Sequence, residues 1–480
     1  MDPHCIPHII QSLDHVFSDD GSHTKNITFQ GQHFTLDSSS GTCYPVSNSP
    51  STLSFSPNGG SPTSQHDISY PSNDSPINGS CVTEDTIDLK HKLREIEMAM
   101  LIDDVPLRDL KQVLIACARA VAENDLHMSE YLIENLREMV SVTGEPIQRL
   151  GAYLLEGLIA RLASSGSAIY KALKCKEPSS SELLSYMHIL YEVCPYFKFG
   201  YMSANGAIAE AVRNEDRVHI IDFQIAQGGQ WVTLIQALSG RPGGPPKIRI
   251  TGIDNADSAY TRGGGLHLVG QRLSRFAESC KVPFEFHGLD MSGCEVKLEH
   301  LKIQPGEALA VNFAFQLHHM PDESVSTDNH RDRLLRLVKG LSPTVVTLVE
   351  QESNTNTSPF LFRFMETLDY YTAIFESIDV TFPRDHKERI SVEQHCVARD
   401  IVNIIACEGA ERVERHELLG KWRSRFMMAG FSQYPLSSVV NATIKRLLEQ
   451  YNENYRLEER DGALYLGWKS RALVVSCAWR

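Results

Sequence analysis

Three aspartates fall where an α/β chain places its chemistry. Asp222 ends the run RVHIID from Arg217, Asp254 follows KIRITGI (Lys247 to Ile253), and Asp290 follows PFEFHG (Pro283 to Gly288). Val218, Ile220, Ile221 and Phe223 form a short, mostly β-branched apolar run, the pattern of a strand buried on both faces of a parallel sheet. Gln227, Gly228 and Gly229 break that run, and Trp231, Leu234, Ile235 and Leu238 then take the spacing of one helix face. Strand, glycine turn and helix in this order set backbone N–H groups and a helix N-terminus around a crevice able to hold an anionic ligand. Asp222 stands at its lip.

Other candidates carry less. His318-His319 could be a metal pair, but adjacent side chains diverge and no nearby Cys or carboxylate completes a ligand spacing, so no metal is expected. His219 and Asp222 are three apart on a strand and point to opposite faces, which assigns His219 to the core or an interface. No G-x-S-x-G elbow surrounds a serine, and no catalytic constellation emerges. The basic clusters Lys90–Arg94 and Lys421–Arg425 lie in amphipathic helices with acidic neighbours and read as solvated faces.

The elements that position these residues follow from composition and period. The chain has 480 residues, and 60 Asp and Glu against 46 Lys and Arg give a charge of -14, which repels phosphate backbones. Its 11 cysteines contain no C-x-x-C pair and sit mostly in apolar segments, as reduced buried thiols do. No apolar run reaches a membrane span, and MDPHCIPHII lacks a signal peptide's basic start and apolar core, so an intracellular protein is expected. Residues 1–103 form a Ser/Pro-rich region expected to be disordered, with one helix expected over 86–101. Leu107, Leu110, Leu114, Cys117 and Val121 begin a helical bundle in which Asn124 and Gly144 interrupt any coiled-coil heptad. Strands at 217–222, 247–253, 283–288, 307–316 and 344–351 alternate with helices, which predicts a doubly wound sheet. Residues 358–410 are largely helical and look inserted, and ALYLGW with ALVVSCAW is expected to form a hairpin closing one sheet edge.

Acids after the first three strands and a terminal hairpin resemble a class I methyltransferase core, whose acids bind S-adenosylmethionine. Gln224 and Ala226 stand where that pattern has glycine, so the reading is fold without activity. Over residues 104–480 the chain resembles the plant GRAS family of transcriptional regulators. Val218-His219-Ile220-Ile221-Asp222 reads as that family's VHIID core, and Pro359-Phe360, Tyr371 and Arg399-Asp400 as its PFYRE region. The SAW region reads as Arg415, Glu417, Trp422, Gly430, Trp468 and Trp479. Asp400 replaces the family's Glu, and the last motif reads Cys477-Ala478-Trp479. The segments around EMVSVTGEPIQRLGAYLLEG and VHIIDFQIAQGGQW look most like the scarecrow-like branch associated with phytochrome A signalling.

The resemblance implies a Rossmann-like (methyltransferase-like) α/β sheet with a helical cap. Its blocks fall at 110–171 (leucine repeat I), 190–255 (VHIID), 271–303 (leucine repeat II), 312–403 (PFYRE) and 406–480 (SAW). It also implies a non-enzymatic coregulator or scaffold in plant light or hormone signalling, acting in the nucleus with the cytoplasm also open. Implied partners are other GRAS proteins and DNA-binding transcription factors, without direct sequence-specific DNA binding, membrane attachment or cofactor. The alternative is an S-adenosylmethionine-dependent methyltransferase or small-molecule receptor using Asp222, Asp254 and Asp290.

Overall fold

Asp109 accepts a hydrogen bond from the Lys111 N–H at 2.9 Å and starts α1 (Leu110–Glu123), which ends where Asn124 takes a left-handed φ of 57°. Asp125 caps α2 (Leu126–Met139) through the Met128 N–H. Pro146 occupies the first turn of α3 (Pro146–Leu162), with Glu145 and Gln148 capping each other. The leucine spacing thus becomes three packed helices instead of one long coil. The structure, a computed structural model, describes residues 108–163, 180–255 and 265–480. The Ser/Pro-rich region 1–103, the helix expected over 86–101, the cluster Lys90–Arg94 and the end of leucine repeat I (164–171) lie outside the described residues.

Two helices that the sequence reading did not assign, α4 (Ser180–Val193) and α5 (Tyr196–Ala211), lead into the sheet. Strands and helices then alternate as expected: β1 (Arg217–Asp222), α6 (Gly229–Ser239), β2 (Lys247–Asp254), α7 (Gly265–Ser279), β3 (Phe284–Asp290), β4 (Ala308–Ala314), α8 (His330–Gly340) and β5 (Val345–Gln351). The five strands pair in parallel in the order β3-β2-β1-β4-β5. Both faces are covered, as a parallel sheet requires. Val218 and Ile220 pack beneath α6 and α7, and Ile221 packs on the opposite face with Leu334 and Leu335 of α8.

After β5 come α9 (Phe360–Asp379), α10 (Lys387–Val392), a π-helical turn (Glu393–Val397) and α11 (Ala398–Ala406). This inserted stretch packs with α1–α3 in one apolar core and completes the helical cap. Packing is tight at Gly157 of α3, where a Cβ would lie 3.0 Å from Ile405 Cβ. Arg149 pins the two parts. Its buried guanidinium reaches Asp379 at 2.7 Å, Glu393 at 3.0 Å and the carbonyls of Gly144 and Phe375.

The C-terminal part holds α12 (Leu419–Met428), β6 (Gln433–Tyr434), α13 (Ser438–Leu448), β7 (Tyr455–Arg460), β8 (Ala463–Trp468) and β9 (Arg471–Trp479). The expected hairpin forms between β8 and β9, but it does not close the edge. β9 lies between β5 and β8, antiparallel to both, and β7 is the edge strand. YRLEER carries too few apolar residues to announce a strand; its charges suit an edge, where they discourage pairing with another chain. The fold is therefore a Rossmann-like, methyltransferase-like doubly wound sheet under a helical cap. No helix among the described residues is long and apolar enough to cross a membrane. Cys117, Cys194 and Cys477 are buried thiols, pushed up to about 12 by burial.

Candidate functional site at the carboxyl ends of the strands

The crevice forms where β1, β2 and β4 end, and the cap roofs it. It encloses a cavity of about 350 Å³, with Phe223, Gln224 and Asp254 on the sheet side and His395, Arg399 and Asp400 on the cap side. That volume is at the lower end of the range for small-ligand sites.

The three strand-end acids are not brought together around the cavity. Asp222 is turned into the sheet, where Oδ2 accepts from Trp231 Nε1 at 2.8 Å and Oδ1 accepts from Asn312 Nδ2 at 3.1 Å and the Gln224 N–H at 3.2 Å. Asn312 Oδ1 in turn accepts from Thr347 Oγ1 at 2.8 Å, and Gln230 joins Asn312 to Asn205. This buried network ties β1, β4, β5, α5 and α6. Asp254 borders the cavity, and Asp290 pairs with it across β2 and β3 but lies exposed and off the lining.

The glycine turn is also structural. Gly228 has φ 73°, and a Cβ there would meet Val269 at 3.0 Å and Leu273 at 3.1 Å, so the glycine serves the turn and the approach of α7. With the Asp222 carboxylate filled and Gln224 standing in the cavity wall, the residues present do not fit S-adenosylmethionine in the way the fold suggests.

Burial pushes the Asp222 carboxyl up to about 6, against three donors that favour its charge. The folded protein then holds this proton more tightly than the unfolded chain, whose value is 3.8. Stability from the group is fully present below the unfolded value and is lost as pH rises through the folded one. Relative to Asp222→Asn, the wild type should gain about 2 kcal/mol as pH falls from about 7 to about 4, read from urea midpoints. A difference flat across that range would mean that the donors outweigh burial.

His219 is buried in the core. Its Nε2 lies 2.8 Å from Thr251 Oγ1 and its Nδ1 3.2 Å from Arg249, and burial with Arg249 pushes it down to about 4.

His318 and His319 overturn the expectation that they diverge and lack a carboxylate. They lie in a 3-10 turn (Leu317–His319), their ring centroids are 4.0 Å apart, and both reach Glu414. His318 Nδ1 is 2.5 Å from Glu350 Oε2, and His416 stacks on His318 at 4.5 Å. Burial opposes charge on His318, but Glu350 and Glu414 push it up to about 10. Burial and the neighbouring His318 push His319 down to about 4. Burial and Glu414 hold the cavity-lining carboxyl of Asp400 well above the usual range. Nothing local in the sequence marks this cluster, because its histidines and carboxylates come from four separate segments.

The other motif residues are largely anchors. Pro359 opens α9, Arg161 stacks over Phe360 at 3.9 Å, and Tyr371 is buried against Tyr370. Arg415 contacts Asp322 at 3.4 Å, and Glu417 pairs with Arg331 at 3.2 Å and accepts from Asn356 at 2.7 Å. Trp422 lies beneath Arg331, Trp468 donates to Glu376 at 2.9 Å, and Trp479 stacks on Phe426 at 4.9 Å. Gly430 takes φ 92° after α12. In the Lys421–Arg425 cluster, Arg425 is held by Glu323, Asp332 and Glu417, and Arg423 donates to the Asp461 carbonyl.

Comparison with known proteins extends these findings. The sequence profile of the GRAS domain family matches residues 110–480. The chain is 61% identical to Chitin-inducible gibberellin-responsive protein 2 of Oryza sativa subsp. japonica, over 100% of this chain and 92% of that one. It is 67% identical to Scarecrow-like transcription factor PAT1 of Arabidopsis thaliana, over 84% of this chain and 88% of that one. Among solved structures, SCL7 of Oryza sativa matches with a TM-score of 0.68 and 36% identity, covering 77% of this chain and 99% of that one.

Proposed function

The chain belongs to the GRAS domain family, and from that membership we propose that it is a non-enzymatic regulator of plant transcription. It acts in the nucleus as a coregulator or scaffold, through contacts with DNA-binding transcription factors and with other members of its family. The observation that carries this reading is the 67% identity, over most of both chains, to a protein named a scarecrow-like transcription factor. Two physical facts support it. The charge of -14 disfavours autonomous DNA binding, and the strand-end carboxylate that would greet a cofactor is filled by the protein's own donors. The motif blocks at 110–171, 190–255, 271–303, 312–403 and 406–480 then serve as the scaffold's parts. Their anchors hold the cap and sheet, and their outer faces meet partners.

Its setting is light signalling through phytochrome A, or hormone signalling. The scarecrow-like segments of the sequence support the first, and the name of the gibberellin-responsive rice relative supports the second. A fluorescent fusion of the full chain should enter plant nuclei and change the output of a responsive reporter. Exclusion from the nucleus together with a silent reporter would reject the proposal. Calorimetric titration of the folded wild-type chain with S-adenosylmethionine should give no binding heat; saturable binding would restore the methyltransferase reading. Duplex DNA at low salt should likewise give no shift, since phosphate contacts are strongest there.

A further inference from the structure

Glu414 Oε2 and His416 Nε2 are buried and make no hydrogen bond. A buried polar atom left without a hydrogen bond costs about 1–3 kcal/mol and calls for a reason. Both atoms face the same point, together with a third. His318 Nε2 lies 3.5 Å and His416 Nε2 3.6 Å from Glu414 Oε2, and the three ligand atoms lie within 4.8 Å of one another. These separations are long for hydrogen bonds, which run about 2.7–3.2 Å. They match ligands around one ion, because donors about 2.1 Å from a tetrahedral metal stand about 3.4 Å apart.

The surroundings hold the donors in that pose. His318 Nδ1 is committed to Glu350 Oε2 at 2.5 Å, and Glu350 Oε1 is fixed by the Leu317 N–H at 2.8 Å. His416 Nδ1 lies 3.0 Å from Thr355 Oγ1. Binding of an ion would displace the Nε2 proton that His318 carries in the ion-free chain; with its remaining proton on Nδ1, each ring would then turn the Nε2 lone pair to the centre, the arrangement of carboxylate- or hydroxyl-backed metal histidines. Glu350 and Glu414 add two buried carboxylates, a charge that a dication balances.

We propose that His318, Glu414 and His416 bind one divalent transition-metal ion of the zinc type, joining the turn after β4 to the segment before α12. Two imidazoles and a carboxylate suit zinc and its neighbours, whereas magnesium and calcium take oxygen donors. His319 and Glu414 also line the cavity, which gives the ion a route in and leaves room for water as a fourth ligand.

The test uses the full chain, stripped with a chelator and titrated with Co²⁺ as a visible probe. The expected result is saturation at one ion per chain, with absorption bands of four-coordinate cobalt that Zn²⁺ abolishes. Glu414→Gln and His416→Gln should remove this binding, and Thr355→Val should weaken it about 10- to 100-fold as a positioning residue. If Glu414→Gln fails to fold, X-ray absorption of the zinc-loaded wild type decides. Two imidazoles with oxygen around zinc support the site; sulfur scattering from cysteines overturns it. A folded wild type that takes up no stoichiometric metal, or variants that bind undiminished, would overturn it equally.

Discussion

Replacing Arg149 with Met should cost about 3–5 kcal/mol of stability, the usual result of removing one partner from a buried ion pair. The magnitude follows from what remains behind. Glu393 is wholly buried, and burial already holds its carboxyl above the usual range against the pull of Arg149 and Arg389. Without Arg149 it keeps only Arg389, at 2.5 Å, while Asp379 and the carbonyls of Gly144 and Phe375 lose a donor. Lysine should rescue little, because a single ammonium cannot reproduce a planar fork spread over four acceptors. The damage should start in the cap, since Arg149 joins α3 to α9 and the π-helical turn. Urea unfolding followed by circular dichroism measures it, and a loss below about 1 kcal/mol would show that this pin contributes little.

Trp479→Ala should be nearly as severe, at about 3–5 kcal/mol. The ring is 1% exposed, stacks on Phe426 at 4.9 Å and lies in the core shared by α8 and α12. Its backbone pairs with Val346 on one side and Gln433 on the other, so the cavity would open where three strands meet. Trp479→Phe keeps an aromatic stack and should lose less than half as much, read from thermal midpoints of the two variants. Equal losses in both would assign the effect to the indole N–H, which lies 3.2 Å from Cys477 Sγ, instead of to the ring's volume.

The parallel half of the fold is legible because its strands are short, apolar and punctuated. β1, β2, β4 and β5 fall within two residues of the segments expected from the sequence. The first helix announces itself through the apolar spacing of Leu110, Leu114, Cys117 and Val121. What escapes is whatever depends on tertiary partners. β7 reads as a polar loop because an edge strand need not be apolar, and β6 has only two residues to show. Asp222 is correctly placed at a strand end, yet whether its carboxylate meets a ligand or the protein is decided by Trp231 and Asn312, and Asn312 lies on another strand. The cluster of His318, Glu350, Glu414 and His416 is invisible for the same reason. Its ligand spacing exists in space and not along the chain, because β4, β5 and the segment before α12 converge only once the sheet is assembled.

The position of β9 has a consequence for how this protein is made. β5 leaves the ribosome well before its partner on the far side, β9, which is the last strand to be synthesised among the described residues. Through the whole interval from residue 352 to residue 470, the VVTLVEQ strand carries an unpaired edge, with an apolar stretch at Val345, Val346, Leu348 and Val349. Such an edge invites pairing with other nascent chains. Dependence on chaperones during synthesis follows, as does intolerance of premature stops. A messenger truncated between residue 352 and residue 470 would yield a chain that retains every parallel strand, cannot close its sheet, and is removed by proteolysis or aggregates.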